Sequence, residues 1–203
     1  MPTVTLTGKP VTPSKVVCIG RNYVAHIEEL GNEIPDEMVV FNKPNSAIST
    51  ALHAYLDEPI HYEAELAFMI KGGALCAVGF GLDLTKRTLQ SKLKEKGLPW
   101  ERAKAFDGAA LFSEFVALPA NAETLSLRLT VNGELRQEGG VTLMMYQPQT
   151  ILRELAKFTT LADGDIIMTG TPKGVGVVNA GERFEGTVLA GTEKLVTATW
   201  AAE

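Results

Sequence analysis

Glu63-Ala64-Glu65 places two carboxylates two residues apart. On a strand, that spacing points both side chains to one face, with Cα atoms roughly 6.5–7 Å apart. Two carboxylates on one face repel unless a cation lies between them. A hard divalent ion such as magnesium, manganese or calcium suits such oxygen ligands. The competing reading is a solvent-facing strand edge with ordinary surface acids. Asp83 closes the glycine-spaced run Gly79-Phe80-Gly81-Leu82 and precedes a helical pattern. It is either the cap of that helix or a third carboxylate for the same ion. Three oxygen ligands with open positions favour magnesium or manganese over structural zinc.

Three further groups have chemical potential. His26 and Glu29 lie three apart on a short helical stretch, which puts them on one face. A carboxylate beside an imidazole orients the ring as a general base requires, and an incidental surface pair is the alternative. Lys104, in Trp100-Glu101-Arg102-Ala103-Lys104, is either a surface lysine or a cation for the site. The loop Thr169-Gly170-Thr171-Pro172-Lys173-Gly174-Val175-Gly176 can present backbone N–H groups and a hydroxyl to an oxyanion. It lacks the order of a P-loop, and a plain glycine-rich connection is the other reading.

The elements that must position these groups read mostly as short strands. Lys15 to Ile19, Met38 to Phe41, Glu63 to Ile70, Val78 to Leu84 and Asp165 to Met168 are apolar strand candidates. Thr124 to Val131 alternates, with Leu125, Leu127, Leu129 and Val131 on one face and the hairpin dipeptide Asn132-Gly133 behind it. Arg183 to Leu189 and Leu195 to Trp200 form a closing hairpin around Gly191. Helical spacing covers Asn22 to Leu30, with Asn22 as cap and Gly31 as terminator, Thr85 to Lys96, and Gln149 to Phe158. About ten strands and three helices, without regular alternation, predict a β-rich α+β domain spanning residues 1–203.

The chain has 203 residues, 45% of them hydrophobic, which is enough to bury a core without a disulfide or zinc. A formal charge of −5 gives no basic surface for nucleic acid. No apolar run reaches the length of a membrane helix. Met1 to Pro10 carries no charged segment followed by an apolar one, so no secretory signal is expected. Cys18 and Cys76 stand alone, which points to a reducing, cytoplasmic setting.

Taken together and in order, the segments GRNYVAHIEE (20–29), FNKP (41–44), HYEAELAFMI (61–70), GFGLDLTKRTLQ (79–90), GLPWERAKAFDG (97–108), VNGELRQ (131–137) and GDIIMTGTPKGVG (164–176) resemble the fumarylacetoacetate hydrolase family. Within it they are most similar to the short acylpyruvase and oxaloacetate decarboxylase branch. The resemblance implies a β-rich roll of packed, mostly antiparallel or mixed sheets with a few short helices, usually a homodimer. It implies that Glu63, Glu65 and Asp83 hold Mg2+ or Mn2+, that His26 and Glu29 form a catalytic dyad, and that Lys104 stands beside the metal. Arg87, Gln90 and Thr171 match substrate-contacting positions.

The implied substrate is a small 2-oxo acid, cleaved by hydrolysis or decarboxylation or tautomerised through an enolate. A dienoate hydratase or isomerase on the same fold and a non-catalytic binding relative are the alternatives. With the ion in place, Lys104 would bring the three-carboxylate site close to neutral. The sequence departs from the family at Lys86, where small residues are usual, at Thr88, where Asp is common, and at Gly140-Val141-Thr142.

Overall fold

Gly72 and Gly73, with φ of 58° and 74°, turn the chain back on itself between two strands, Ala64–Lys71 and Ala74–Asp83. A side chain at either position would be strained by that backbone conformation, whereas glycine adopts it freely. The computed structural model describes residues 1–29, 31 and 33–203. The hairpin lies within a seven-stranded mixed sheet. From one edge its order is Ala110–Phe112, Ala74–Asp83, Ala64–Lys71, Ile166–Met168, Lys15–Gly20 and Val39–Pro44, and Val116–Ala117 also pairs with Ala74–Asp83. Ile166–Met168 runs parallel to Lys15–Gly20, and the other pairs are antiparallel. Ala64–Ile70 is buried throughout, which accounts for its near-continuous apolar sequence.

A second, four-stranded antiparallel sheet has the order Glu134–Gly140, Leu125–Val131, Arg183–Ala190 and Glu193–Ala201. Leu125, Leu127, Leu129 and Val131 are buried, and the expected turn follows with φ of 53° at Asn132 and 83° at Gly133. One apolar core joins Leu66, Phe68, Phe80 and Leu82 of the large sheet to Leu127, Leu129, Phe184 and Val188 of the second. The sheets approach so closely that a Cβ on Gly186 would lie 2.4 Å from the Phe80 ring. The last helix packs Ile151 and Leu155 against Val17, Ile19 and Ile167.

Among the described residues there are seventeen strands, many of only two or three residues, and four α-helices: α1 (Val24–Glu29), α2 (Arg87–Glu95), α3 (Glu101–Lys104) and α4 (Pro148–Leu155). Three helix expectations need correction. Thr85 and Lys86 are a short strand paired with His61 and Ile60, so α2 begins at Arg87. Its first amides are met by Glu58 Oε1, which accepts from Thr88 N at 2.9 Å and Leu89 N at 3.3 Å. α4 stops at Leu155, and Phe158 is 67% exposed beyond it.

Asn22 does not cap α1. Its amide donates to the carbonyls of Thr169 (2.8 Å) and Tyr146 (2.9 Å), and its Oδ1 accepts from Tyr146 N. Asn22 therefore ties three distant segments together, while the helix starts on the Tyr23 carbonyl. Gly31 has φ of 61°, as a helix terminator requires. The expected last residue of that helix, Leu30, lies outside the described residues.

Candidate active site

Strand register brings the three carboxylates together. Ala64 pairs with Leu82, Glu65 with Gly81, and Asp83 N–H donates to the Glu63 carbonyl at 2.8 Å. Glu63 and Asp83 thus face each other across the sheet, with Glu65 one step along the same face. One oxygen from each lies within 4.8 Å of the others. None is on a solvent-facing edge, because Glu63 is 6%, Glu65 2% and Asp83 1% exposed. The helix-cap reading of Asp83 fails for the same reason: its carboxylate points inward to two lysines.

Those lysines are Lys104 and Lys43. Lys104 Nζ donates to Asp83 Oδ2 (2.7 Å), Glu63 Oε2 (2.9 Å) and Thr85 Oγ1 (2.7 Å), which uses all three of its protons. It is therefore a buried cation of the site and not a surface lysine. α3 delivers it, since the amides of Ala103 and Lys104 both donate to the Trp100 carbonyl. Lys43, fully buried on the Val39–Pro44 strand, lies 2.8 Å from Asp83 Oδ1 and also donates to the Lys104 carbonyl. Arg87, at the start of α2, donates to Glu63 Oε1 and to Gln90 Oε1, the latter at 2.9 Å.

The carboxylates feel these neighbours unequally. Burial pushes Glu63 up, but Lys104 and then Arg87 outweigh it and hold the group well below the usual carboxylate range. Burial, then Asp83 and Glu63, push Glu65 well above that range, and a hydrogen bond from Gly170 N–H (2.7 Å) only partly opposes them. Burial draws Lys104 down, yet Asp83 and Glu63 raise it on balance, so it stays charged. Three carboxylates meet three cations, Lys43, Lys104 and Arg87, and the formal sum is zero before any ion is added. The sequence-based expectation counted Lys104 alone. A divalent ion would leave the site with a net charge of two positive, which suits a doubly charged anion.

These residues fit a hard divalent ion. All donors are carboxylate oxygens. Asp83 Oδ1 is buried without a hydrogen bond, because the Lys43 ammonium 2.8 Å away is poorly aligned to donate to it. Glu65 is the carboxylate with no cation against it, and its raised affinity for a proton marks where positive charge is wanted.

His26 and Glu29 lie on α1 as the spacing predicts, with His26 Nδ1 3.2 Å from Glu29 Oε2. His26 is buried, and the Glu29 side chain is one-third exposed. The glycine loop fixes the pair: Gly174 N–H reaches Glu29 Oε1 at 2.9 Å. Thus two loop amides, Gly170 and Gly174, donate to protein carboxylates and not to open space. Both need glycine. Their φ values are 95° and 100°, and a Cβ would lie 2.8 Å from the Asn22 side chain and 2.0 Å from the Arg136 carbonyl, respectively. Thr171 Oγ1 accepts from Gln137 Nε2 (2.8 Å), whose Oε1 in turn accepts from Ala64 N (2.9 Å). Gln137 so links the loop to the strand bearing the glutamates.

These groups line one cleft. His26, Glu63, Glu65, Asp83, Arg87, Gln90, Lys104 and Thr171 all border it, and Arg21, Lys94 and Trp100 are also part of its wall. Glu29 stands behind His26. Sequence reasoning missed Lys43, Gln137, Arg21 and Lys94. Lys43 and Gln137 fall inside the matched segments FNKP and VNGELRQ, but no spacing ties either to the carboxylates, which lie elsewhere in the chain. Lys94 sits four residues after Gln90, a helical spacing that could have drawn attention to it. No helix among the described residues is long and apolar enough to cross a membrane.

Comparison with known proteins adds a common pattern. The model of the family described as Fumarylacetoacetate (FAA) hydrolase C-terminal matches residues 15–199. The oxaloacetate tautomerase YcgM of Escherichia coli is 38% identical over 190 residues, covering 84% of this chain and 86% of the relative. The human mitochondrial oxaloacetate tautomerase FAHD1 is 37% identical over 211 residues, covering 93% and 91%. Among solved structures, a fumarylpyruvate hydrolase from Pseudomonas aeruginosa in complex with Mn2+ and pyruvate superposes with a TM-score of 0.86 at 32% identity. That match covers 100% of this chain and 96% of the other. The β-rich roll of mixed and antiparallel sheets expected from the sequence is the fold observed.

Proposed function

Because the chain belongs to the fumarylacetoacetate hydrolase family, we propose that it is a divalent-metal-dependent enzyme that interconverts or cleaves small 2-oxo acids through an enolate, with oxaloacetate tautomerisation as its principal reaction. The observation that carries this reading is the buried Glu63–Glu65–Asp83 cluster, flanked by Lys43 and Lys104 and facing a cleft that also holds His26. Glu63, Glu65 and Asp83 would hold Mg2+ or Mn2+. Such an ion supplies Lewis acidity at the 2-oxo oxygen when bound.

The chain's own residues do the rest. Arg87, Gln90 and Thr171 bind and orient the acid. His26, held by Glu29, moves the proton: as the enol loses its O–H proton, C3 gains one, and His26 carries protons between cleft and substrate. Lys104 keeps a fixed positive charge beside the oxygen on which enolate charge develops, and its place is set before the reaction begins. A homodimer belongs to the same reading, as does one catalytic domain over residues 1–203, and light scattering of the purified chain tests the dimer.

Acylpyruvate hydrolysis is the second reading, favoured by the likeness to the fumarylpyruvate hydrolase. His26 would then take a proton from water, hydroxide would add to C4, the C3–C4 bond would break, and C3 would be reprotonated to give pyruvate and a carboxylic acid.

The test is a substrate panel with the metal-free protein, then with Mg2+ or Mn2+ added back. Loss of enol-oxaloacetate absorbance faster than the spontaneous rate supports the first reading. Pyruvate released from acetylpyruvate or fumarylpyruvate supports the second. No metal-dependent change in any of the three substrates would overturn both.

A further inference from the structure

α2 presents more to the cleft than the groups assigned above. Arg87, Gln90 and Lys94 are spaced three and then four apart, so they form one stripe along the helix. Arg87 meets Glu63, and Gln90 meets Arg87. Lys94 lies about 10 Å further along the helix axis from Arg87, at ~1.5 Å per residue. It lines the same cleft, with its Nζ 4.9 Å from the centre of the Trp100 ring. Arg21 borders the cleft too, in the turn between the Lys15–Gly20 strand and α1.

Lys94 is half-buried, and no carboxylate among the described residues lies within ion-pairing distance of it. Burial, then Arg21 and Arg87, push its pKa down to about 8. A half-buried ammonium set among other cations, with the Trp100 ring face beside it, is poorly compensated by the protein itself.

We propose that Lys94, with Arg21 beside it, forms an outer subsite for the distal carboxylate of a dicarboxylic 2-oxo acid, making the enzyme selective for dianions over monoanions. The inference rests on the metal-dependent 2-oxo acid reading and deepens it. The substrate's front oxygens belong at the carboxylate cluster and Arg87. Its second carboxylate, at the other end of a four-carbon chain, needs a cation further out along the same wall, and Lys94 is placed there. The net charge points the same way. The inner groups with a divalent ion already favour a doubly charged ligand, and Lys94 and Arg21 extend the positive wall outward. Lys94 feels the charges of Arg21 in the turn before α1, Arg87 on its own helix, Glu63 beside the central sheet and Lys104 on α3, and its ammonium lies over the Trp100 ring.

The test uses malate and lactate, two unreactive 2-hydroxy acids that differ in the distal carboxylate. Calorimetric titration of the Mg2+-loaded protein should show malate binding about tenfold more tightly than lactate, the worth of one charged hydrogen bond. Lys94→Gln should remove most of that preference, leave lactate affinity unchanged, and raise the KM for oxaloacetate about tenfold. Lys94→Arg should retain the preference. In the wild type the preference should fade as pH rises through about 8, where Lys94 loses its proton, whereas Lys94→Arg should hold it.

Equal binding of the two acids by the wild type would overturn the subsite while leaving the broader function standing. So would an equal loss of both in Lys94→Gln, which would mark Lys94 as structural. A protein that binds neither acid and turns over no 2-oxo acid would overturn the functional reading, and the subsite with it.

Discussion

The ammonium of Lys43, wholly buried, lies 2.8 Å from Oδ1 of Asp83, while Lys104 holds the other oxygen at 2.7 Å. Asp83 is thus clamped between two lysines that approach from different elements, one from the sheet and one from α3. Breaking a buried pair strands a charge, which costs about 3–5 kcal/mol. Lys43→Met should therefore destabilise the metal-free protein by about that amount in a denaturant titration. Combining it with Asp83→Asn should recover part of the loss. A double-mutant cycle with no coupling between the two positions would show that the contact contributes nothing.

The metal assignment is testable without any substrate. Mn2+ at a hundredfold excess over its dissociation constant should stabilise the wild type by about 2.7 kcal/mol, visible as a raised Tm. Glu65→Ala removes the carboxylate that has no cation of its own, and both the Tm shift and metal-dependent turnover should vanish. A variant that keeps a wild-type response to Mn2+ would move the ion elsewhere.

The dyad should act on rate. His26→Ala is expected to lower kcat by about 10²–10⁴-fold, the usual worth of a positioned acid–base group. Glu29→Gln keeps an acceptor for Gly174 N–H but removes the charge 3.2 Å from the imidazole, so its loss should be smaller but in the same direction. Acylpyruvate hydrolysis, which needs an activated water, should suffer more from His26→Ala than oxaloacetate decarboxylation. Equal losses on the two substrates would remove the water-activating role.

Lys104 separates ground-state binding from stabilisation along the reaction. Enolate charge appears only as the reaction proceeds, so Lys104→Met should depress kcat more than it raises KM. Steady-state kinetics on the metal-saturated variant read the split directly. An unaltered kcat with a raised KM would make Lys104 a substrate-binding contact.

Asp165 predicts the acid limb of stability. Burial pushes its carboxyl up, but hydrogen bonds from Ser14 Oγ, Ala162 N and the Lys15 ammonium prevail, and the group titrates below its ordinary value. A carboxylate lowered in the folded state contributes its full stability above the unfolded value of about 3.9 and loses it as pH falls through the folded one. Asp165→Asn should cost about 1–3 kcal/mol at pH 7. The gap between variant and wild type should close below about pH 4, measured by thermal melts across pH. A gap that stays constant down to pH 3 would exclude the carboxylate as its source.

Much of this protein is legible in the chain. The alternating leucines of 125–131 and the Asn132-Gly133 turn define a hairpin because period and turn chemistry are local properties. The Glu63–Glu65 and His26–Glu29 pairs are legible as candidates because the spacing within each sets a face, whereas Asp83 reads either as a helix cap or as a third carboxylate. The tertiary structure decided which candidate readings hold. Register across the Gly72-Gly73 hairpin sets Asp83 opposite Glu63 and turns a plausible helix cap into a buried carboxylate. The arrangement of the seven-stranded sheet, to which both strands belong, brings Lys43, 20 residues before Glu63 in the chain, to within ion-pair distance of Asp83. No local pattern encodes a contact between elements so far apart, because such contacts arise from how the strands order themselves in the sheet. That is also why the charge balance of the site, neutral in itself and positive with a divalent ion, is a property of the folded molecule.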